Sequence, residues 1–288
     1  MRRWLEVSIE MPPAAVDVLV LRLVERGSLG IIEEAAGDRL RLRAHFEEGA
    51  GEQLAEEIRE LLRSLEEFFP GCAASGVTVG RIDDADWAEG WKRGFPPLEV
   101  GRSLRIRPPW IAHDTSTRHD LEIEPAMAFG TGHHASTLGC LLALEELVER
   151  EGAPSSVLDV GTGSGILAIA SARLGARGVL AVDVDAAAID AARENVRRNR
   201  VEHIVALRLG SLETVCGRFT RIVANLYSGL LRGMFGALAE RAEPRGWLVV
   251  AGFLDADAAA VAEAARGWHQ SRRRSLEGWT TLTLRRED

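Results

Sequence analysis

Three glycines at positions 161, 163 and 165 follow the apolar run Val157-Leu158-Asp159-Val160 and precede Ile166-Leu167. Spaced G-x-G-x-G at the end of a buried strand, they allow a tight turn and let a ligand rest directly on the backbone. Asp183 lies twenty-two residues after Gly161 and closes the next apolar run, Ala181-Val182-Asp183. A carboxylate there matches, oxygen for hydroxyl, the two donors of an adenosine ribose. A dinucleotide fingerprint is excluded, because its third glycine falls three residues after the second, where Ile166 stands. Two more acids flank the loop. Asp159 can anchor the loop or cap a turn, and Asp185 suits the start of the next helix as well as it suits a ligand.

A second loop, from Ile123 to Thr137, contains Phe129-Gly130-Thr131-Gly132-His133-His134-Ala135-Ser136-Thr137 and leads into the helical run Leu138 to Val148. Such a glycine-flanked, hydroxyl-rich segment presents several donors to an anion or carboxylate. It lacks the lysine of a Walker motif, since Lys92 is the only lysine in the chain, and this disfavours NTP hydrolysis. Asn225 closes the run Ile222-Val223-Ala224-Asn225. At the carboxyl end of a parallel strand its side-chain carbonyl can accept a hydrogen bond from an amine, although a turn asparagine has the same signature. The adjacent His133 and His134 suit loop structure or packing better than base catalysis. Cys72, Cys140 and Cys216 form no C-x-x-C pair and have no histidine at ligand spacing, so neither a disulfide framework nor a zinc site is readable.

The elements that must hold these groups can be read from hydropathy patterning. Residues 1–80 run strand, helix, strand, strand, helix, strand. Trp4 to Ile9 give the first strand, Val16 to Val24 a helix, Leu29 to Ile32 and Leu40 to Phe46 a hairpin, Gln53 to Phe69 a second helix, and Val77 to Ile82 a last strand. That order predicts a small α+β, ferredoxin-like domain. Residues 81–118 hold Trp87, Trp91, Trp110 and four prolines, and read as a connector packed against something. Residues 119–288 alternate strand and helix, with glycine turns between, and end in a hairpin around Glu277-Gly278. This predicts a Rossmann-like α/β domain, mostly parallel with a terminal antiparallel hairpin.

At 288 residues and 46% hydrophobic content the chain is long enough for two cores, and disorder of the bulk is excluded. The formal net charge is −8, which disfavours a nucleic-acid grip spread over the surface. Residues 1–80 carry nine basic and fifteen acidic residues, a net of −6, leaving 26 against 28 for residues 81–288. No window reaches the roughly 18 apolar residues of a membrane span, and no apolar run follows the first arginines as in a signal peptide. A cytoplasmic protein, expected to be monomeric, fits these features.

The G-x-G-x-G run with its acid resembles the first motif of class I S-adenosylmethionine (SAM) methyltransferases. The wider set A-F-G-T-G-H-H-A-S-T, G-T-G-S-G-I-L-A-I-A, A-V-D-V-D and A-N-L-Y resembles one family, the bacterial ribosomal protein L11 methyltransferases of the PrmA type. Trp87 and Trp91-Lys92 extend the likeness into the connector, while residues 1–80 match in predicted architecture only. Ala126 and Ser136 depart from the pattern, standing where the family usually has glycine and threonine. The resemblance implies that Thr137 contacts SAM and that Gly161, with Gly163 and Gly165, underlies its methionine and ribose portions. It further implies that Asp183 holds the ribose, that Asn225 lies beside the methyl group and incoming amine, and that Phe129 and Thr131 close over the site. No metal is required. Asn225 and the Leu226 carbonyl are then expected to accept the amine's hydrogens, with Tyr227 and Phe129 as walls. The expected activity is methylation of lysine side chains or the N-terminal amine of ribosomal protein L11, docked on residues 1–80. Another protein or a small-molecule amine is the alternative acceptor.

Overall fold

A computed structural model describes residues 3–28, 30–37, 39–47, 51–83, 95–114, 118–125 and 134–287. Phe129, Thr131 and His133, together with Trp87, Trp91 and Lys92, fall outside the described residues. The chain forms two compact units, Met1–Phe95 and Pro96–Asp288.

The first unit follows the order expected from its sequence: β1 (Arg3–Met11), α1 (Val16–Glu25), β2 (Gly30–Ala36), β3 (Arg39–Glu47), α2 (Gly51–Leu65) and β4 (Val77–Asp83). The four strands make an antiparallel sheet in the order β2-β3-β1-β4. Alternation sends Leu5, Val7, Ile9 and Met11 of β1 to one face, where they pack with Leu19 and Leu23 of α1 and Ile58 and Leu62 of α2. The opposite positions are charged and paired. Arg43 bonds Glu6 at 2.6 Å and Arg41 bonds Glu10 at 3.0 Å. Helix α2 stops four residues before the predicted end at Phe69. Glu66 accepts hydrogen bonds from the amides of Gly71 and Ala73 at 2.9 and 2.5 Å, and this folds the chain into a turn.

In the second unit three short strands come first: β5 (Leu98–Val100), β6 (Leu104–Arg107) and β7 (His119–Glu122). They form their own sheet, antiparallel between β5 and β6 and parallel between β6 and β7. Glu145 of α3 (Ala135–Glu151), 6% exposed, ties down the β5–β6 turn by accepting from the amides of Arg102 at 3.0 Å and Ser103 at 2.6 Å. A buried carboxylate is tolerable there because backbone donors surround it.

The large sheet is built from β8 (Val157–Val160), β9 (Val179–Asp183), β10 (Val205–Leu209), β11 (Phe219–Asn225), β12 (Ala242–Leu254), β13 (Trp268–Leu276) and β14 (Trp279–Arg286). Its order is β10-β9-β8-β11-β12-β14-β13, parallel through β12 and antiparallel across the last two pairings. Successive residues feed two cores. Val157, Val223 and Val249 face one, and Leu158, Ile222 and Leu248 face the other. Burial on both sides explains why these strands read as continuous apolar runs. Helices α4 (Ile166–Arg173), α5 (Ala186–Arg198), α6 (Ser228–Arg241) and α7 (Ala258–Ala264) complete the unit. The apolar spacing of the sequence predicts a helix from Asp255 to Arg266, and α7 is shorter because Asp255 instead serves the terminal hairpin. Its amide donates to Gly278 O at 2.8 Å and its carboxylate accepts from Ser275 and Thr280. The chain reverses direction about β8: β9 and β10 lie on one side, β11 and β12 on the other. The carboxyl ends of β8 and β11 therefore border a switch-point crevice, where open α/β sheets take their ligands.

Candidate active site

Gly161, Gly163 and Gly165 occupy the turn from β8 to α4, all with positive φ. At Gly161 (φ +72°) a Cβ would stand 2.5 Å from Leu226 Cδ2, so only glycine lets the β8 and β11 exits lie side by side. Gly165 is the N-cap of α4.

The loop and the acid are one hydrogen-bonded unit. Gly163 donates its amide to Asp183 Oδ2 at 2.9 Å, and Asp185 donates its amide to Oδ1 at 3.0 Å. Each carboxylate oxygen keeps a second lone pair, enough for two ribose hydroxyls. Asp185 itself caps α5, accepting from the Ala187 amide at 2.8 Å, as its helix-start reading expects. Asp159 acts as a loop anchor. It is fully buried, and Oδ2 accepts from the Thr162 hydroxyl at 2.6 Å. Oδ1 has no hydrogen-bond partner among the described residues. Burial pushes its carboxyl up to about 7, against the Thr162 hydrogen bond and with help from the Asp183 charge.

Thr137 and Asn225 meet across the crevice. Thr137 sits in the first turn of α3, 1% exposed, and its Oγ1 accepts from Asn225 Nδ2 at 3.3 Å. That bond turns the Asn225 carbonyl oxygen the other way, and Oδ1 is buried without a hydrogen-bond partner among the described residues. An unpaired buried acceptor costs about 1–3 kcal/mol and so marks a place reserved for a donor. Leu226 follows, its amide held by Ala251 O at 2.9 Å. Its carbonyl lies against Gly252 (φ +93°), where a Cβ would come within 2.6 Å of the oxygen. Tyr227 is 66% exposed beside it.

His134 caps α3. Its Nδ1 accepts from the Ser136 amide at 3.3 Å and lies 2.7 Å from the Ser136 hydroxyl, and its ring meets Trp279 edge-on at 4.5 Å. The packing role read from the sequence is therefore its observed one.

Three positioning residues escaped the sequence reading. Asn195, 1% exposed on α5, donates to Ser164 O of the glycine loop at 2.9 Å and accepts from the Glu124 amide at 2.9 Å. Asn199, one turn on, accepts from the Glu122 amide at 2.9 Å and donates to Glu122 O at 2.6 Å. Together they bind the β7 exit to the glycine loop. Gly252 is the third, and its only sequence signal is a glycine interrupting an apolar strand.

Among the described residues no cluster of His, Cys, Asp and Glu is arranged to hold a metal ion, and no helix is long and apolar enough to cross a membrane.

A glycine-rich turn after β8, a carboxylate at the exit of β9 and a buried amide oxygen at the exit of β11, set on this strand order, are the features of a class I SAM-dependent methyltransferase. Residues 3–287 match the family described as ribosomal protein L11 methyltransferase (PrmA). Proteins of that name from Syntrophotalea carbinolica and Geobacter sulfurreducens are each 38% identical to the chain. The first matches over 99% of this chain and 95% of its own length, the second over 99% of both. A crystal structure of a ribosomal protein L11 methylase from Lactobacillus delbrueckii subsp. bulgaricus superposes with a TM-score of 0.62 at 30% identity, covering 67% of this chain and 99% of its own. The chain belongs to the ribosomal protein L11 methyltransferase family. Its likeness to that family runs through the first 80 residues, which the sequence reading had matched by architecture alone.

Proposed function

We propose that the chain transfers methyl groups from SAM to amines of ribosomal protein L11, on lysine side chains, the N-terminal amine or both. The observation that carries this reading is the buried Oδ1 of Asn225 at the exit of β11, which has no hydrogen-bond partner among the described residues. A carboxylate would bring no hydrogen to that oxygen, and a hydroxyl would bring only one. An amine brings N–H groups to it.

SAM supplies an electrophilic methyl carbon on a sulfonium that leaves as a neutral thioether, so the protein's task is alignment. Gly161 to Gly165 and Asp183 would hold the methionine and adenosine portions, with Thr137 at the crevice wall; Phe129 and Thr131 are proposed to close over them. Asn225 Oδ1 and the Leu226 carbonyl accept the amine's hydrogens and aim its lone pair along the transfer axis. A free lysine amine has a pKa of about 10.4, but desolvation in the crevice and a nearby cation both favour the neutral nucleophile.

Residues 1–80, net −6, are proposed as the domain that receives the basic protein substrate, the charge raising the encounter rate. Docking then weakens as salt rises. The deciding experiment is a mass spectrum of ribosomal protein L11 after incubation with this protein and SAM. A gain of whole methyl groups on amines is expected, and an unmodified L11 beside a labelled small amine would refute the proposal.

A further inference from the structure

At the amino end of β11, opposite Asn225, the strand opens with Phe219, Thr220 and Arg221. Arg221 is 4% exposed, and no carboxylate lies within ion-pair distance of it among the described residues. Its Nη2 donates to Leu147 O at 3.0 Å and to Gly152 O, while Nε and Nη1 make no hydrogen bond to the described residues. Neutral carbonyls orient a guanidinium but leave its charge uncompensated, which is costly in a buried position. Burial draws its pKa down to about 10, partly offset by the Glu151 charge.

This side chain lines a cleft of about 330 Å³ whose wall also includes Arg177, Arg245 and Arg285. Arg177 and Arg285 are exposed and have no carboxylate partner among the described residues. Arg285 stands 5.2 Å from the Trp247 ring centroid, with Arg150 at 5.6 Å, so Trp247 fixes the guanidinium at the rim. Glu151 and Glu243 also border the cleft. Arg177, Arg221 and Arg285 outnumber these two carboxylates, and Glu151 is itself paired with Arg150 at 3.8 Å. The forked, parallel N–H donors of arginine match a tetrahedral oxyanion better than they match chloride.

We propose that this cleft is a binding site for a phosphate group, separate from the methyl-transfer crevice and formed wholly by the second unit. The phosphate can be free or belong to an RNA backbone, and the chemistry of recognition is the same. The test is thermal unfolding of the intact protein in inorganic phosphate and in chloride at matched pH and ionic strength. At about ten times the phosphate dissociation constant, a rise of several degrees over chloride is expected. The double variant Arg177→Gln/Arg285→Gln spares the glycine loop and Asn225. It should bind SAM as wild type does and lose the phosphate-specific rise. No phosphate-specific rise in the wild type, or an undiminished rise in the double variant, overturns the proposal. Fluorescence anisotropy with a short labelled RNA then separates the sources. Binding that inorganic phosphate competes away and the double variant loses assigns the site to a nucleic-acid backbone, whereas phosphate binding without RNA binding assigns it to a free phosphate.

Discussion

Asn225 donates Nδ2 to Thr137 Oγ1 at 3.3 Å, and that single bond decides which way the amide faces. With the nitrogen held by α3, the carbonyl oxygen is left as a buried acceptor at the end of β11. Asn225→Ala removes the acceptor and should lower kcat by about 10²-fold or more, the scale seen when one positioned hydrogen-bonding group is lost from an active site. SAM affinity should stay within a few-fold. Thr137→Val keeps the shape but frees the amide to rotate, and a fall of about tenfold in kcat is expected. Methyl-transfer rates and calorimetric SAM binding check both, and an unchanged kcat in Asn225→Ala would remove it from the mechanism.

Asp183 does two jobs with one carboxylate, pinning Gly163 and Asp185 while keeping lone pairs for a ribose. Hydrogen bonds to a charged acceptor contribute about 1.5–3 kcal/mol each, so Asp183→Ala should weaken SAM binding by about 10²-fold. It should also speed amide hydrogen exchange at Gly163 without ligand. Wild-type affinity would contradict the ribose role, whereas weakened affinity with unchanged Gly163 exchange would place the whole effect on the ligand.

The groups legible in the sequence were those whose type is dictated by the local backbone. Gly161, Asp183 and Asn225 all sit at strand exits, where apolar runs end abruptly and the next residue must turn, accept or donate. Asn195 and Asn199 were invisible because a buried asparagine on α5 looks in sequence like any polar residue of a solvated helix. Their partners, Ser164 and Glu122 to Glu124, lie 31 to 77 residues away. Between the prolines of the connector the sequence shows two short strand-like runs, but not their assembly with β7, since the parallel β6–β7 pairing and the Glu145 anchor are non-local. Helix ends were misplaced where an acid found donors outside the helix, the backbone amides of Gly71 and Ala73 for Glu66 and the hydroxyls of Ser275 and Thr280 for Asp255.

Gly252 should behave as part of the site although it is remote in sequence from every motif. Alanine there meets the Leu226 backbone at 2.6 to 2.8 Å in a conformation that L residues rarely adopt. Gly252→Ala is expected to cost about 1–3 kcal/mol of stability and to lower kcat by about tenfold through displacement of the Leu226 carbonyl. Gly267→Ala is the control, because Gly267 has a similar φ of +79° but open space around it. It should lose stability without losing activity at temperatures where it remains folded. Equal kcat in the two variants would detach the Leu226 carbonyl from the reaction.

Asp159 makes stability depend on pH in a direction unusual for an acid. Its folded pKa of about 7 lies above the ordinary value of 3.8, chiefly through burial, so folding favours the protonated form. Its contribution is intact below about pH 4 and is lost as pH rises through 7. The groups facing it are the Thr162 hydroxyl and the Ala168 backbone amide, which favour the charged form, and the Asp183 carboxylate, which opposes it. Cys140 is buried nearby, its thiol pushed far up by burial and secondarily by the Asp159 charge, so it stays neutral. Asp159→Asn mimics the protonated acid at every pH. At 1.36 kcal/mol per pKa unit, wild type should lose about 2 kcal/mol relative to Asp159→Asn between pH 5.5 and 8.5. Denaturant unfolding of both proteins at the two pH values measures the difference directly. A gap that does not widen with pH would show that Asp159 is ionised throughout, with its Oδ1 compensated in a way the hydrogen bonds between described residues do not provide.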